Sequence, residues 1–189
     1  MNVMTGIEHF GAPRETRIGH LNLRVADLDR ATQFYRDVLG LTVSCYGPDI
    51  GLPIVFLAFG DYHHHVALNW FYASTADCKS VRQGGLNHFA IVHPDELSLA
   101  NAVVRLSQYG DLIEDARDHG STLSVYLRDP DGNGIELYCD RPRTHWFNAL
   151  GQFVVKSESL DVEKWLKEVC ARTSQSCVQS SHFHELAVQ

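Results

Sequence analysis

Two histidines and a glutamate, His20, His88 and Glu136, carry the chemistry that this sequence suggests first. Neutral imidazole and carboxylate are good ligands for a divalent metal, and two of the first with one of the second can occupy one face of an octahedron. That leaves up to three coordination positions open on the metal, a set typical of non-haem Fe(II) oxygenases. Each residue alone has a simpler explanation. A single His near a strand start is commonly a hydrogen-bonded surface or core group, and a Glu in a strand usually faces solvent. Glu136, however, stands between Ile135 and Leu137 in an apolar strand, where a buried carboxylate without a partner would be costly. His119 and Tyr126 precede it in the pattern H-x5-VY-x2-DPDG-x3-E. Beside a metal, such a phenol and imidazole could hydrogen-bond a substrate oxygen and stabilise its anion. The run His63-His64-His65 adds further imidazoles. In a strand, alternation would send His64 to the face opposite His63 and His65.

The elements that must position these residues come in two copies. IGHLNLRV (18–25) alternates as a strand, and the apolar positions of ADLDRATQFYRDVLG (26–40) recur at helical spacing, closed by Gly40. Three strand-like runs follow at 41–47, 53–60 and 64–70. After a loop ending in Gly84-Gly85, the order restarts. A strand at 86–93, a helix at 94–110, a short strand or loop at 111–120, and strands at 121–130 and 134–140 joined by the DPDGNG turn make the second unit. GHLNLRV at 19–25 answers NHFAIVH at 87–93, so that His20 and His88 occupy equivalent places 68 positions apart. The expected fold class is therefore α+β: paired βαβββ modules, about 18–70 and 86–140, enclosing a cleft. The expected organisation is an N-terminal arm (1–15), this domain (16–142) and an extension (143–189) containing one amphipathic helix through Leu160, Val162, Trp165, Leu166 and Val169. The polar stretch after it, with His182 and His184, reads as a loosely ordered tail.

Composition narrows the alternatives. The 189 residues carry a net charge of −7, which argues against non-specific nucleic-acid binding, and no apolar run reaches the roughly 20 residues of a membrane span. The N-terminus lacks the basic and apolar regions of a signal peptide. Five cysteines, odd in number and irregularly spaced, read as reduced thiols, so a cytoplasmic location is expected.

The paired plan, the opening GHLNLRVADLDRATQFYRDVLGL and the ending DPDGNGIELY resemble the vicinal oxygen chelate superfamily over about residues 16–142. Within it, the chain is most similar to the small type I extradiol catechol dioxygenases of the biphenyl-2,3-diol 1,2-dioxygenase type. The His119-to-Glu136 stretch fits their signature, except that Arg117 replaces a smaller residue, and HHHVALNW fits their His-His-x-x-Ala-Leu strand. The resemblance implies that His20, His88 and Glu136 hold Fe(II), with Mn(II) as a substitute. It implies that His64 is a catalytic acid/base and that His119 and Tyr126 lie near the bound catecholate. The partners implied are a small aromatic diol and O2, with neither nucleic acid nor membrane, in a homo-oligomer. Two other activities share this fold. One is a glyoxalase-like isomerase or lyase, in which His65 would be a fourth ligand to Zn or Ni. The other is metal-free drug binding. Phe56, Phe59, Trp70, Phe71, Trp146 and Phe147 are candidates both for an aromatic pocket and for the core.

Overall fold

Short alternating runs become strands here because one face of each can be buried under a helix. The computed structural model describes residues 14, 16–70, 86–154 and 156–185, with side chains described as far as Thr173. The rest of the expected N-terminal arm, the loop at 71–85 with Phe71, and the side chains of His182 and His184 lie outside the described residues.

The first half runs β1 (Leu21–Val25), α1 (Leu28–Gln33), β2 (Thr42–Tyr46), β3 (Ile54–Ala58) and β4 (Val66–Trp70). The second runs β5 (His88–His93), α2 (Glu96–Ser107), β6 (Asp115–Asp118), β7 (Thr122–Arg128) and β8 (Gly134–Asp140). Each half forms its own mixed sheet, in the orders β1-β4-β3-β2 and β5-β8-β7-β6-β9. The extra strand β9 (Glu158–Ser159) comes from the extension and pairs antiparallel with β6. The extension ends in α3 (Val162–Glu185), whose helical backbone continues through the polar stretch expected to be a loose tail.

Both long-range helices start on an aspartate. Asp27 accepts from the Arg30 amide at 2.9 Å and Asp95 from the Ser98 amide at 2.7 Å, each satisfying an otherwise orphaned donor. The single helix expected over 26–40 instead widens after Gln33 into a π-helical turn, Phe34–Val38, with the Leu39 amide bonded to the Phe34 carbonyl at 3.2 Å. The wider turn lets Phe34, Tyr35 and Val38 all face the core. Along β7 and β8, Leu123, Val125, Leu127, Ile135, Leu137 and Cys139 are buried. The alternate residues Tyr126, Glu136 and Tyr138 are half-buried on the opposite, open face. That parity is what presents the chemistry.

The two halves are locked together by the DPDG turn. Tyr35 on the α1 side donates to Asp129 at 2.8 Å, and the Ala26 amide donates to Asp131 at 3.0 Å. Burial, then Asp129, pushes the Tyr35 phenol above its ordinary value, so it remains a donor. On the other side, Arg105 of α2 donates to the Leu39 carbonyl at 3.2 Å. Trp165 of α3 reaches back to Glu96 of α2 at 2.7 Å, which anchors the extension.

Gly134 opens β8 directly against β5. A Cβ there would lie 2.4 Å from the Asn87 carbonyl oxygen and 3.0 Å from the His88 Cβ. Gly134→Ala is therefore expected to push β8 off the His88 backbone. The Tm should fall by several degrees, for a cost of about 1–3 kcal/mol. Metal affinity should fall with it, which equilibrium dialysis would measure.

Candidate metal and substrate site

On the open face of the second sheet, Ala90 of β5 lies level with Glu136 of β8, and Tyr126 of β7 lies level with Glu136 on its other side. Two flanking strands thus aim side chains at one carboxylate. His88 Nε2 lies 3.1 Å from Glu136 Oε2, and the Tyr126 hydroxyl donates to Glu136 Oε1 at 2.9 Å. His119 Nε2 is 2.9 Å from the same hydroxyl, and its Nδ1 donates to the Lys156 carbonyl at 3.1 Å. This fixes a proton argument. A carbonyl can only accept, so Nδ1 carries hydrogen. In neutral His119, Nε2 is then an acceptor and contests the single phenol proton with Glu136. Only the imidazolium allows both bonds at once. Burial first, then the Glu136 hydrogen bond and charge, push the Tyr126 phenol up to about 12. The phenol therefore stays protonated near neutrality and acts as a donor.

His20, exposed just before β1, packs against His64, with ring centroids 4.6 Å apart, and His64 in turn stacks on Phe56 at 4.5 Å. Burial, then the neighbouring His63, His20 and His65, holds His64 below the ordinary histidine value, favouring the neutral base. His65 accepts from the Phe59 amide through Nδ1 at 3.2 Å and faces Tyr62. The expected alternation of the three histidines does not hold. β4 begins only at Val66, so His63–His65 lie in the bent segment leading into it, and His63 and His64 touch through their Nδ1 atoms at 2.7 Å. Among the described residues, no three His, Cys, Asp or Glu side chains converge as a ready-made metal cage. Direct contacts join His88, Glu136, Tyr126 and His119, and pair His20 with His64.

Two cavities flank the Glu136 cluster. One, of about 480 Å³, is polar and includes His88, Asp115, Arg117, His119 and Tyr126. Arg117, the departure from the extradiol pattern, is held by Asp115 at 2.8 Å. The other, of about 350 Å³, includes Glu136, Tyr138, Trp146 and Phe153. Sequence reasoning missed Phe153 and Tyr138. The alternation of β8 would have placed Tyr138 on the face of Glu136, but nothing in the sequence assigned Phe153 to it.

The donor types and their spacing suit a divalent metal. A half-buried imidazole and carboxylate face each other, and a phenol hydrogen bond orients the carboxylate, as outer-shell partners of metal ligands do. His88 and Glu136 supply two of three ligands, and a third must come from outside this cluster.

Residues 17–137 match the Glyoxalase/Bleomycin resistance protein/Dioxygenase superfamily, and the chain belongs to that family. It is 36% identical over 155 residues to a catechol-2,3-dioxygenase of Bacillus subtilis, covering 82% of this chain and 52% of that protein. A biphenyl-2,3-diol 1,2-dioxygenase of Rhodococcus globerulus is 34% identical, with 66% of this chain and 63% of that one covered. The chain thus spans roughly half to under two-thirds of the length of these two relatives. A lactoylglutathione lyase of Haemophilus influenzae is 32% identical over 64% of this chain and 90% of its own. Among solved structures, lactoylglutathione lyase from Agrobacterium tumefaciens superposes with a TM-score of 0.51 at 26% identity, covering 67% of this chain and 96% of that one. No helix among the described residues is long and apolar enough to cross a membrane.

Proposed function

We propose that this protein is an Fe(II)- and O2-dependent extradiol dioxygenase that opens the ring of a catechol beside its two hydroxyls. The observation that carries the reading is the His119–Tyr126–Glu136–His88 cluster, a hydrogen-bonded proton path ending on a carboxylate and imidazole suited to a metal. Its support from relatives is the catechol and biphenyl-diol dioxygenases of Bacillus and Rhodococcus.

In this reading His88 and Glu136, with His20 as the third ligand, hold Fe(II), and Mn(II) can replace it. When bound, the metal provides a docking point for both diol oxygens and an electron path between ring and dioxygen. The protein's own groups manage protons. Tyr126 turns its one hydroxyl proton from Glu136 towards the charge that develops on substrate oxygen, and His119, as imidazolium, resupplies a proton to the phenol oxygen through Nε2. His64, held neutral, accepts a diol proton. The enzyme works in the cytoplasm as a homo-oligomer.

The test is catechol-dependent oxygen consumption by Fe(II)-loaded protein, with formation of a yellow, pH-sensitive ring-opened product. Tyr126→Phe keeps the ring and removes the donor. It is expected to lower kcat by about 100-fold or more while leaving the catechol KM nearly unchanged. An unchanged kcat would remove Tyr126 from the proton path.

A second reading has a specific observation behind it, the 90% coverage of the Haemophilus lactoylglutathione lyase. That isomerase-type activity would use His65 as a fourth ligand to Zn or Ni. Turnover of a glutathione hemithioacetal without oxygen consumption would favour it.

A further inference from the structure

The matched family region ends at residue 137, yet the open cavity beside Glu136 is lined in part by residues beyond it. Trp146 and Phe153 line this cavity of about 350 Å³ together with Ala90, Thr122, Glu136 and Tyr138. Its volume is that of a small-ligand pocket, with Glu136 towards one end of β8 and Ser121 and Asp140 towards the other, and Trp146, Phe153 and Tyr138 supplying its aromatic wall.

The aromatic wall is built. The Trp146 indole donates to the Arg141 carbonyl at 2.7 Å, and the Arg143 guanidinium lies 5.7 Å over its ring. Phe153 is tied down by a bridge to Phe147, by edge-to-face contact with that ring at 6.0 Å, and by the adjoining Val154 amide on the Trp146 carbonyl at 2.8 Å. Core packing does not account for it, because Phe153 is 55% exposed and Phe147 40%. Ordered aromatic rings left in water around a concave site are a binding surface for an apolar group.

We propose that Trp146 and Phe153, supplied by the extension, are specificity-determining residues that cradle an aryl substituent of the substrate diol. The substrate class is then an aryl-substituted catechol in preference to catechol itself. This rests on the dioxygenase reading for the identity of the diol end, while the aromatic wall stands on its own geometry. A ring held against this wall would leave the attached diol free to reach Glu136 in the same cavity.

The experiment uses the full-length, metal-free protein with two probes that cannot turn over, 2-hydroxybiphenyl and phenol, titrated by isothermal calorimetry. Wild type is expected to bind 2-hydroxybiphenyl at least about tenfold more tightly than phenol. Trp146→Ala and, independently, Phe153→Ser should erase that preference, whereas Trp146→Phe should keep most of it. Phe153 is exposed, so its variant folds even if Trp146→Ala does not, and thermal melts verify this. Wild type without the preference, or a preference untouched by Phe153→Ser and by a folded Trp146→Ala, would overturn the proposal. Neither probe needs metal or O2, so failure here is separable from failure of the dioxygenase reading. That reading is judged by oxygen uptake alone.

Discussion

Glu136→Ala is expected to lower affinity for Fe(II) by at least about 100-fold and to abolish catechol-dependent oxygen uptake. Loss of an outer-shell partner alone typically costs 10–100-fold, and Glu136 is proposed as a direct ligand. The fold should survive. Glu136 is on the open face of β8, and removing it buries no new charge, while the core face of that strand, Ile135, Leu137 and Cys139, is untouched. His88→Ala should behave the same way, because its imidazole faces the same carboxylate at 3.1 Å. The double variant should be little worse than either single one, since the two act as one unit. Equilibrium dialysis against Fe(II) under argon measures the first effect, and thermal melts exclude unfolding.

The second large effect lies at the turn that joins the halves. Asp129 is 5% exposed and accepts from Tyr35, from the amides of Asp131 and Asn133, and from the Asn133 side chain, all between 2.8 and 2.9 Å. Asp129→Ala leaves these donors without their acceptor in a nearly dry site, at a cost of about 3 kcal/mol or more. For a chain of this size the Tm should fall by about 6–12 °C. Tyr35→Phe should cost less and should also alter the alkaline limb. The folded phenol titrates above its unfolded value near 10, so its contribution is complete below that pH and is lost as pH rises towards the folded value. The phenylalanine variant should lack that part of the alkaline loss, as urea melts at pH 8 and 11 would report.

Much of this architecture was legible in the residues. The doubled strand–helix–strands order, set by the spacing of His20 and His88 and by the closing GIELYCD, gave both sheets, because each half must bury one face under its own helix. In the structure, strand parity puts His88, Tyr126 and Glu136 on one face of the second sheet, and His119 joins them from the loop between β6 and β7. What was not legible depended on tertiary contact. DPDG read as an ordinary turn, since nothing local says that Asp129 will be buried under a tyrosine 94 positions away. The His63–His65 run read as strand, but the first ladder pairs of β4 start at Val66, so pairing overrode the apparent alternation. The extension read as one helix, whereas β9 and the Trp146–Phe153 wall owe their positions to the second sheet's outer strand and to the open face above Glu136.

The most direct measurement is ring opening under 18O2. Anaerobically purified, Fe(II)-loaded protein is mixed with 2,3-dihydroxybiphenyl, the gas is admitted, and the product is weighed by mass spectrometry. The account predicts a yellow product carrying both labelled oxygens, one O2 consumed per ring opened, and none of this with Glu136→Ala. One tightly bound metal per chain with no oxygen uptake across a panel of catechols would contradict it.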